Sequence, residues 1–344
     1  MLTPLRITNL PGAKGPSLAL DAQGTMHVAF GVENALYLAS ASAGDSAFTA
    51  PVKIAQAGRL ALGMRRGPRL AVLGKTLVVS AIYGQQGGGR DGELLAWRSN
   101  DEGKSWQGPA IVNDVPGAAR EGLHAMASAP DGTLACAWLD LREKGTTVFA
   151  STSTDGGKSW SRNLRAYRSP SGTVCECCHV STCFTPSGEL LVMFRNVLAG
   201  NRDMYLCRSS DKGKSFTPAQ KLGVGSWLLN ACPMDGGMIA TSAKNGIVSA
   251  WRREEVIYTC VPGKPEQRIE VGQQPWIASG KGGTWCTWLV GRPGKLRLQD
   301  PTGAIRTLAE GANDPVLSAS SKGTVALAWT GPGGLFATKV ESSP

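Results

Sequence analysis

Seven times along the chain an apolar run, a glycine-containing turn and a second apolar run follow one another. "GPSLALDAQGTMHVAF", "HAMASAPDGTLACAWLD", "HVSTCFTPSGELLVMFRN" and "PVLSASSKGTVALAWT" are examples, and the seven begin near residues 16, 68, 124, 179, 237, 275 and 315. Short apolar runs bounded by turn residues read as strands, and the run Thr133–Trp138 suits a strand covered on both faces. A period near 50 residues with about four strands per unit predicts an all-β chain folded as one β-propeller domain over 1–344. Seven blades is the reading. Six is the alternative, because the fifth to seventh units lack the turn described next. The last unit, ending "GGLFATKV", is one outer strand short and the opening "PLRITNL" belongs to no unit, so the two ends are expected to pair.

A second repeat sits between the hairpins. "SNDEGKSW" begins at Ser99, "STDGGKSW" at Ser153 and "SSDKGKSF" at Ser209, with a drifted copy over Ala41 to Phe48. The Asp carboxylate of such a turn accepts backbone N–H groups of its own loop, Gly supplies a positive φ, and the aromatic fills the space between strands. Asp101, Asp155 and Asp211 are therefore residues of the fold.

Composition narrows the class. The 344 residues are 42% hydrophobic and 18% charged, with 44 glycines and 20 prolines, as expected of a globular chain rich in tight turns. No run is long and apolar enough to span a bilayer. The formal charge of +10 is spread out, with no basic helix or aromatic-interleaved strand, so a nucleic-acid partner is not expected. An acidic small molecule suits the charge better. "MLTPLRITNL" carries no apolar leader behind basic residues, which leaves a cytoplasmic protein or a mature form whose leader has been removed.

The three turns match the pattern Ser/Thr-x-Asp-x-Gly-x-Ser/Thr-Trp/Phe, and on them the chain resembles the Asp-box (BNR-repeat) sialidase-like propellers. The resemblance implies that each box joins the third and fourth strands of a blade, on the face away from the active site. The opposite face then carries the loops between blades and those between second and third strands. These contain Arg65, Arg66, Arg120, Glu121, His124, Asp140, Arg142, Glu143, Glu176, His179, Arg195, Asn196, Arg202, Asp203, Asn230 and Asp235, concentrated on blades two to five. Blades six and seven offer little beyond Gln273, Gln274, Arg292, Asn313 and Asp314.

In the family an arginine triad binds the substrate carboxylate, a Tyr/Glu pair supplies the nucleophile and an Asp handles the proton. By location, Arg66, Arg142, Arg195 and Arg202 are analogues of the triad. With His124, Asn196, Asn230 and Asp235 they form the candidate ligand-binding set, and Asp140, Glu176 and Asp203 are the candidate catalytic carboxylates. The alternative is that these charges pair and brace the loops. The chain departs from the family in two places. Its Arg-Ile-Pro motif has only the echo "LRIT" at Leu5 to Thr8, and none of the five tyrosines lies in the last two units.

"TVCECCH" places Cys175, Cys177, Cys178 and His179 on the loop before the fourth hairpin, and "LNACPMD" places Cys232 on the loop before the fifth. Neighbouring blades set such loops side by side. Cys136, Cys183, Cys207, Cys260 and Cys286 sit among apolar neighbours and read as small core residues. Three readings remain open for the cluster. The first is a disulfide from one of Cys175, Cys177 or Cys178 to Cys232. The second is Cu or Zn held by the three cysteines with His179 or Cys232, and the third is a reactive thiol. The segment is also similar to that of a subset of bacterial Asp-box proteins, often exported, which implies a periplasmic or extracellular setting that permits disulfides.

The resulting expectation is a monomeric propeller that binds an anionic glycan or similar acidic ligand, with hydrolysis of that ligand as an extension of the reading, and with no cofactor. A thiol-rich Cu- or Zn-binding or redox-linked protein is the second reading, and a non-catalytic interaction scaffold the third.

Overall fold

In the computed structural model, residues 3–87, 90–119, 122–242, 246–280 and 282–341 are described. Every regular element among them is a strand, and no helix is long and apolar enough to cross a membrane. Four sheets are antiparallel, four-stranded and ordered as in the sequence, beginning at Lys14–Leu20, His124–Ser128, Ser181–Phe184 and Met238–Ser242. A fifth is built on Thr76–Gly84, which pairs with Arg69–Leu73, Glu93–Ser99 and Arg59–Leu60.

The sixth sheet has seven strands because one strand serves two units. Ile305–Ala319 pairs through its first part with Gly294–Gln299 and through its second with Val325–Gly331. The amino-terminal strand Leu5–Thr8 lies on the outer edge of this sheet, with Leu5 opposite Ala337. The expected pairing of the two ends is present.

First strands pack against one another in sequence order, and Ile305–Ala319 packs against Lys14–Leu20. The core is divided accordingly. One apolar cluster joins the sheets containing Ala137 and Val192, another those of Leu38 and Val79, and a third those of Val28 and Ala328. Each sheet thus buries both faces, which is why its strands read as near-continuous apolar runs.

The three box turns follow one design. Ser99 Oγ donates to Asp101 Oδ1 (2.7 Å) and accepts from the Gly103 amide (2.8 Å), while the Ser105 amide and hydroxyl donate to the same carboxylate at 2.9 and 2.6 Å. Ser153, Asp155, Gly157 and Ser159 repeat the pattern, as do Ser209, Asp211, Gly213 and Ser215. Gly103, Gly157 and Gly213 have φ of 91°, 82° and 82°, a region costly for a side chain. Each box joins a third strand to the fourth-strand side, as the resemblance implies. In the drifted copy Asp45 accepts the Ser42 amide (2.7 Å), and Phe48 still packs on the core.

Two outcomes follow. Ser153→Ala strands the buried Gly157 amide and is expected to lower the unfolding free energy by about 1–3 kcal/mol, measured by urea denaturation. The Asp211 carboxyl is held down to about 2 by the Ser215 and Ser209 hydroxyls and the Ser215 amide. A folded value below the unfolded one contributes stability above about pH 4. That stability is lost as the pH falls toward about 2, and Asp211→Asn is expected to flatten the acid limb of a thermal-stability profile.

Candidate functional site

Many of the residues marked out by the sequence are consumed as braces. Asp140 is fully buried and accepts from Trp138 Nε1 (2.8 Å), the Arg142 amide (2.9 Å) and Arg142 Nε (2.8 Å). Arg142 also reaches Asp114 at 2.7 Å and Asn163 at 2.8 Å, and lies 4.1 Å over the Phe149 ring. Glu143 pairs with Arg165. Asp203 accepts from the Trp227 amide and Ser226 Oγ, both at 2.9 Å, and pairs with Lys221 at 3.0 Å. The Asn196 amide group donates to Tyr167 Oη. Glu176 and Asn230 are exposed, and Thr173 Oγ1 donates to Glu176 Oε1 at 3.2 Å. Arg66 lays its stem over Gly122. Arg120 and Glu121 lie outside the described residues.

Arg195 differs from the expected ligand arginine. It is 1% exposed and donates to backbone carbonyls of three segments: Arg202 O, Asp235 O and Arg252 O, at 2.6 to 3.3 Å. A guanidinium offers five donors in a rigid fork, and here four hydrogen bonds from that fork go to the chain itself.

The cysteine loop is pinned from the same place. The Cys175 amide donates to Arg195 O at 3.0 Å, and Val174 bridges to Asn196. All nine cysteines are free thiols, so the expected bridge to Cys232 is not made. Cys175 Sγ lies 3.1 Å from Cys178 Sγ and 3.8 Å from Cys177 Sγ. Arg202 Nη1 donates to Cys175 Sγ at 3.1 Å while its Nε holds Leu229 O. Hydrogen bonds from Cys177 and Cys178, then the charges of Arg195 and Arg202, hold the Cys175 thiol down at about 3. Burial and the Cys175 sulfur push Cys178 well up. Cys232 is exposed, and burial and the Cys177 sulfur put it at about 11. Cys136, Cys207, Cys260 and Cys286 are buried and Cys183 half-buried, in the core.

His179 corrects the sequence reading. Its Nδ1 accepts the Gly236 amide at 3.2 Å, and the ring is absent from the group of sulfurs that lie within 4.8 Å of one another. It belongs instead with a cluster where the first strands of successive sheets begin. Burial and then Arg65, Arg69 and Arg195 keep His179 neutral, so with Nδ1 accepting, the proton is on Nε2. Arg65, 5% exposed, donates to Pro275 O (2.8 Å) and Pro315 O (3.4 Å), and its Nε lies 3.9 Å from Asp235 Oδ1. The Gln274 amide donates to Asp235 Oδ2 (2.7 Å), and Gln274 Oε1 accepts the Asp314 amide (3.2 Å). Arg252 Nε lies 3.6 Å from Asp235 Oδ2. His124, also buried, meets Ser80 Oγ through Nε2 at 3.0 Å.

Several buried polar atoms of this cluster have no hydrogen-bonding partner in the protein: His179 Nε2, Gln274 Nε2, Asp235 Oδ1, Asp314 Oδ1 and His124 Nδ1. Burial raises the Asp235 carboxyl against the pull of Arg65 and Arg252, and raises Asp314 against Arg65 and Arg292. Gln274 and Asp314, with φ of 54° and 48°, come from the two units that the sequence reading set aside. The signal that could have found them is register: His179, Gln274 and Asp314 each stand two residues before the inward run of their first strand. A cavity of about 1850 Å³ opens elsewhere, at the far ends of the first strands. It is lined by turn residues such as Asp21, Asp131 and Ser320. The convergence of charge, not cavity size, marks the candidate site.

The strand architecture and the box turns define a β-propeller of the sialidase-like class. Residues 35–254 match the BNR repeat-like domain, and the chain belongs to that family. No curated protein matches the sequence. Among solved structures, the Penicillium chrysogenum α-L-arabinanase complexed with arabinobiose is similar at 13% identity and a TM-score of 0.61, over 99% of this chain and 98% of that one. A polysaccharide lyase, an ulvan lyase bound to a sulfated disaccharide repeat, is similar at 10% identity and TM-score 0.59, over 98% and 93%. The intramolecular trans-sialidase of Ruminococcus gnavus in complex with oseltamivir carboxylate is similar at 10% identity and TM-score 0.54, over 98% and 97%. At these identities the likeness carries the fold alone.

Arg202→Gln removes the cation beside Cys175 and is expected to raise that thiol's titration midpoint by at least about one unit, since a shift of that size is the differential interaction of one close charge. Thiolate absorbance followed against pH measures it.

Proposed function

We propose that the protein binds an acidic glycan at the mouth formed by the first-strand entries. The observation that carries this reading is an imbalance of charge. Among the described residues, Arg65, Arg69, Arg195 and Arg252 converge there on two carboxylates, Asp235 and Asp314. Exposed Lys14 and Arg292 lie close enough to lower the Asp314 carboxyl, so the rim is cationic as well. An anion entering this mouth gains charge-assisted contacts, and the unpartnered donors His179 Nε2 and Gln274 Nε2 suit sugar hydroxyl or carboxylate oxygens. The arabinanase holds arabinobiose and the lyase a sulfated GlcA–Rha repeat, which favours a glycan as the ligand, the second of the two being acidic. Seven blades in a closed ring is the arrangement we adopt for the scaffold. It is supported by the continuous strand that serves two units and by the pairing of Leu5–Thr8 with Gly334–Val340.

Hydrolysis is a second reading, favoured by one observation. Asp314 is half-exposed at the mouth, with its carboxyl raised by burial, the state a proton donor needs. The five tyrosines lie in the first five sheets or the strands leading to them, so a sialidase-type tyrosine nucleophile is not part of this proposal.

Binding is tested with uronate- and sulfate-bearing oligosaccharides in calorimetric titrations. Lys14→Glu with Arg292→Glu is expected to weaken binding about tenfold or more and to flatten its salt dependence, with the unfolding midpoint unchanged. Equal affinity for neutral and acidic oligosaccharides would sink the anionic assignment. Asp314→Asn is expected to keep the affinity and, on the hydrolytic reading, to abolish release of reducing ends.

A further inference from the structure

We propose that Cys175, Cys177 and Cys178 form a binding site for a single soft monovalent metal ion, Cu(I). The three sulfurs already lie within 4.8 Å of one another. A metal–sulfur bond of about 2.3 Å puts the sulfurs of a tetrahedral or trigonal thiolate site about 3.8–4.0 Å apart. The Cys175–Cys177 pair stands at 3.8 Å, and the Cys175–Cys178 pair at 3.1 Å needs to open by less than 1 Å. The loop is held for this. Its first cysteine is tied to Arg195 O, and the Cys178 amide turns back to Cys175 O. Cys175 and Cys178 are each 1% exposed, while the half-buried Cys177 leaves a way in from solvent.

Charge and donor number select the ion. Three thiolates with a monovalent cation leave two negative charges. Two guanidiniums face them: Arg202, bonded to Cys175 Sγ at 3.1 Å, and Arg195, whose charge acts on both Cys175 and Cys178. A divalent ion would leave one negative charge against the same two cations. Zn(II) in a structural site also takes four ligands. The nearest further donors do not complete such a set. His179 Nδ1 is occupied by the Gly236 amide, and Cys232, which neighbours Cys177, lies outside the group of sulfurs that are all close to one another. Soft thiolates at low coordination number favour Cu(I). Binding replaces the S–H bonds of the thiols still protonated, Cys178 foremost, by metal–sulfur bonds and releases those protons to solvent, with no change in oxidation state.

The site is independent of the glycan reading, and its test is a metal measurement. Reduced full-length protein, kept anaerobic, is titrated with Cu(I) against a chromogenic Cu(I) chelator. The expected result is one Cu(I) retained per chain, with near-ultraviolet thiolate-to-metal absorption and a first shell of sulfur only by X-ray absorption. Cys177→Ser, at a half-exposed position that leaves the core untouched, is expected to weaken retention about tenfold or more, and Cys232→Ser to leave it unchanged. Cys178→Ala is expected to abolish retention where it folds, with Cys177→Ser carrying the test if it does not. Retention unchanged by Cys177→Ser overturns the site. Zn(II) held in preference to Cu(I), or a Cys175–Cys178 disulfide in protein never exposed to air, overturns the assignment equally.

Discussion

The upper face of this propeller depends on where one guanidinium spends its hydrogen bonds. Arg195 is fully inside the protein and gives its N–H groups to the carbonyls of Arg202, Asp235 and Arg252, while its own carbonyl accepts the Cys175 amide. Four segments from different parts of the chain are thereby fixed relative to one another. Backbone carbonyls left without donors in the interior carry a cost of about 1–3 kcal/mol each, so the arrangement is strongly determined. The cysteine loop, the Arg202 loop and the buried carboxylate Asp235 have their positions because this one charge is buried among them. Its plane also lies 5.4 Å from the Trp227 ring, which Arg252 flanks at 5.6 Å.

Two kinds of charged residue coexist on that face. Asp140, Arg142, Asp114 and Asn163 close a network in which nearly every polar atom is matched, and such a network stiffens a loop without offering anything to a visitor. The cluster of Arg65, Arg69, Arg195 and Arg252 around Asp235, Gln274 and Asp314 is of the other kind. It carries excess positive charge and retains polar atoms with no partner in the protein. In a low-dielectric setting both features raise the value of a polar, negatively charged guest.

The architecture was legible in the sequence because its signals are local. The box turns follow from the Ser, Asp and Gly at fixed offsets, and the hairpins from apolar runs broken by turn residues. The site was much less legible. Arg142 and Arg195 looked like ligand arginines because a carbonyl acceptor leaves no trace in the residue type that supplies it. His179 looked like a partner of Cys178 by adjacency, yet the strand entry turns its ring toward Gly236. Gln274 and Asp314 were passed over because their loops carry few charges, although their importance comes from convergence across distant units and not from local density. The cysteines fall between these cases: their proximity is written in the spacing, and the cation that favours the Cys175 thiolate comes from a residue 27 positions later.

The strand Ile305–Ala319 gives the candidate mouth an uneven mechanics. Gln274 and Asp314 belong to a single hydrogen-bonded sheet in which two units share one unbroken strand, so no connecting loop between those units can open by itself. Arg65 and Asp235 stand on the other side in segments outside the regular strands. One jaw of the mouth is a rigid plate and the other is mounted on loops, where local opening costs less. Accommodation of guests of different size would then be one-sided, with the adjustment falling on the loop-borne jaw.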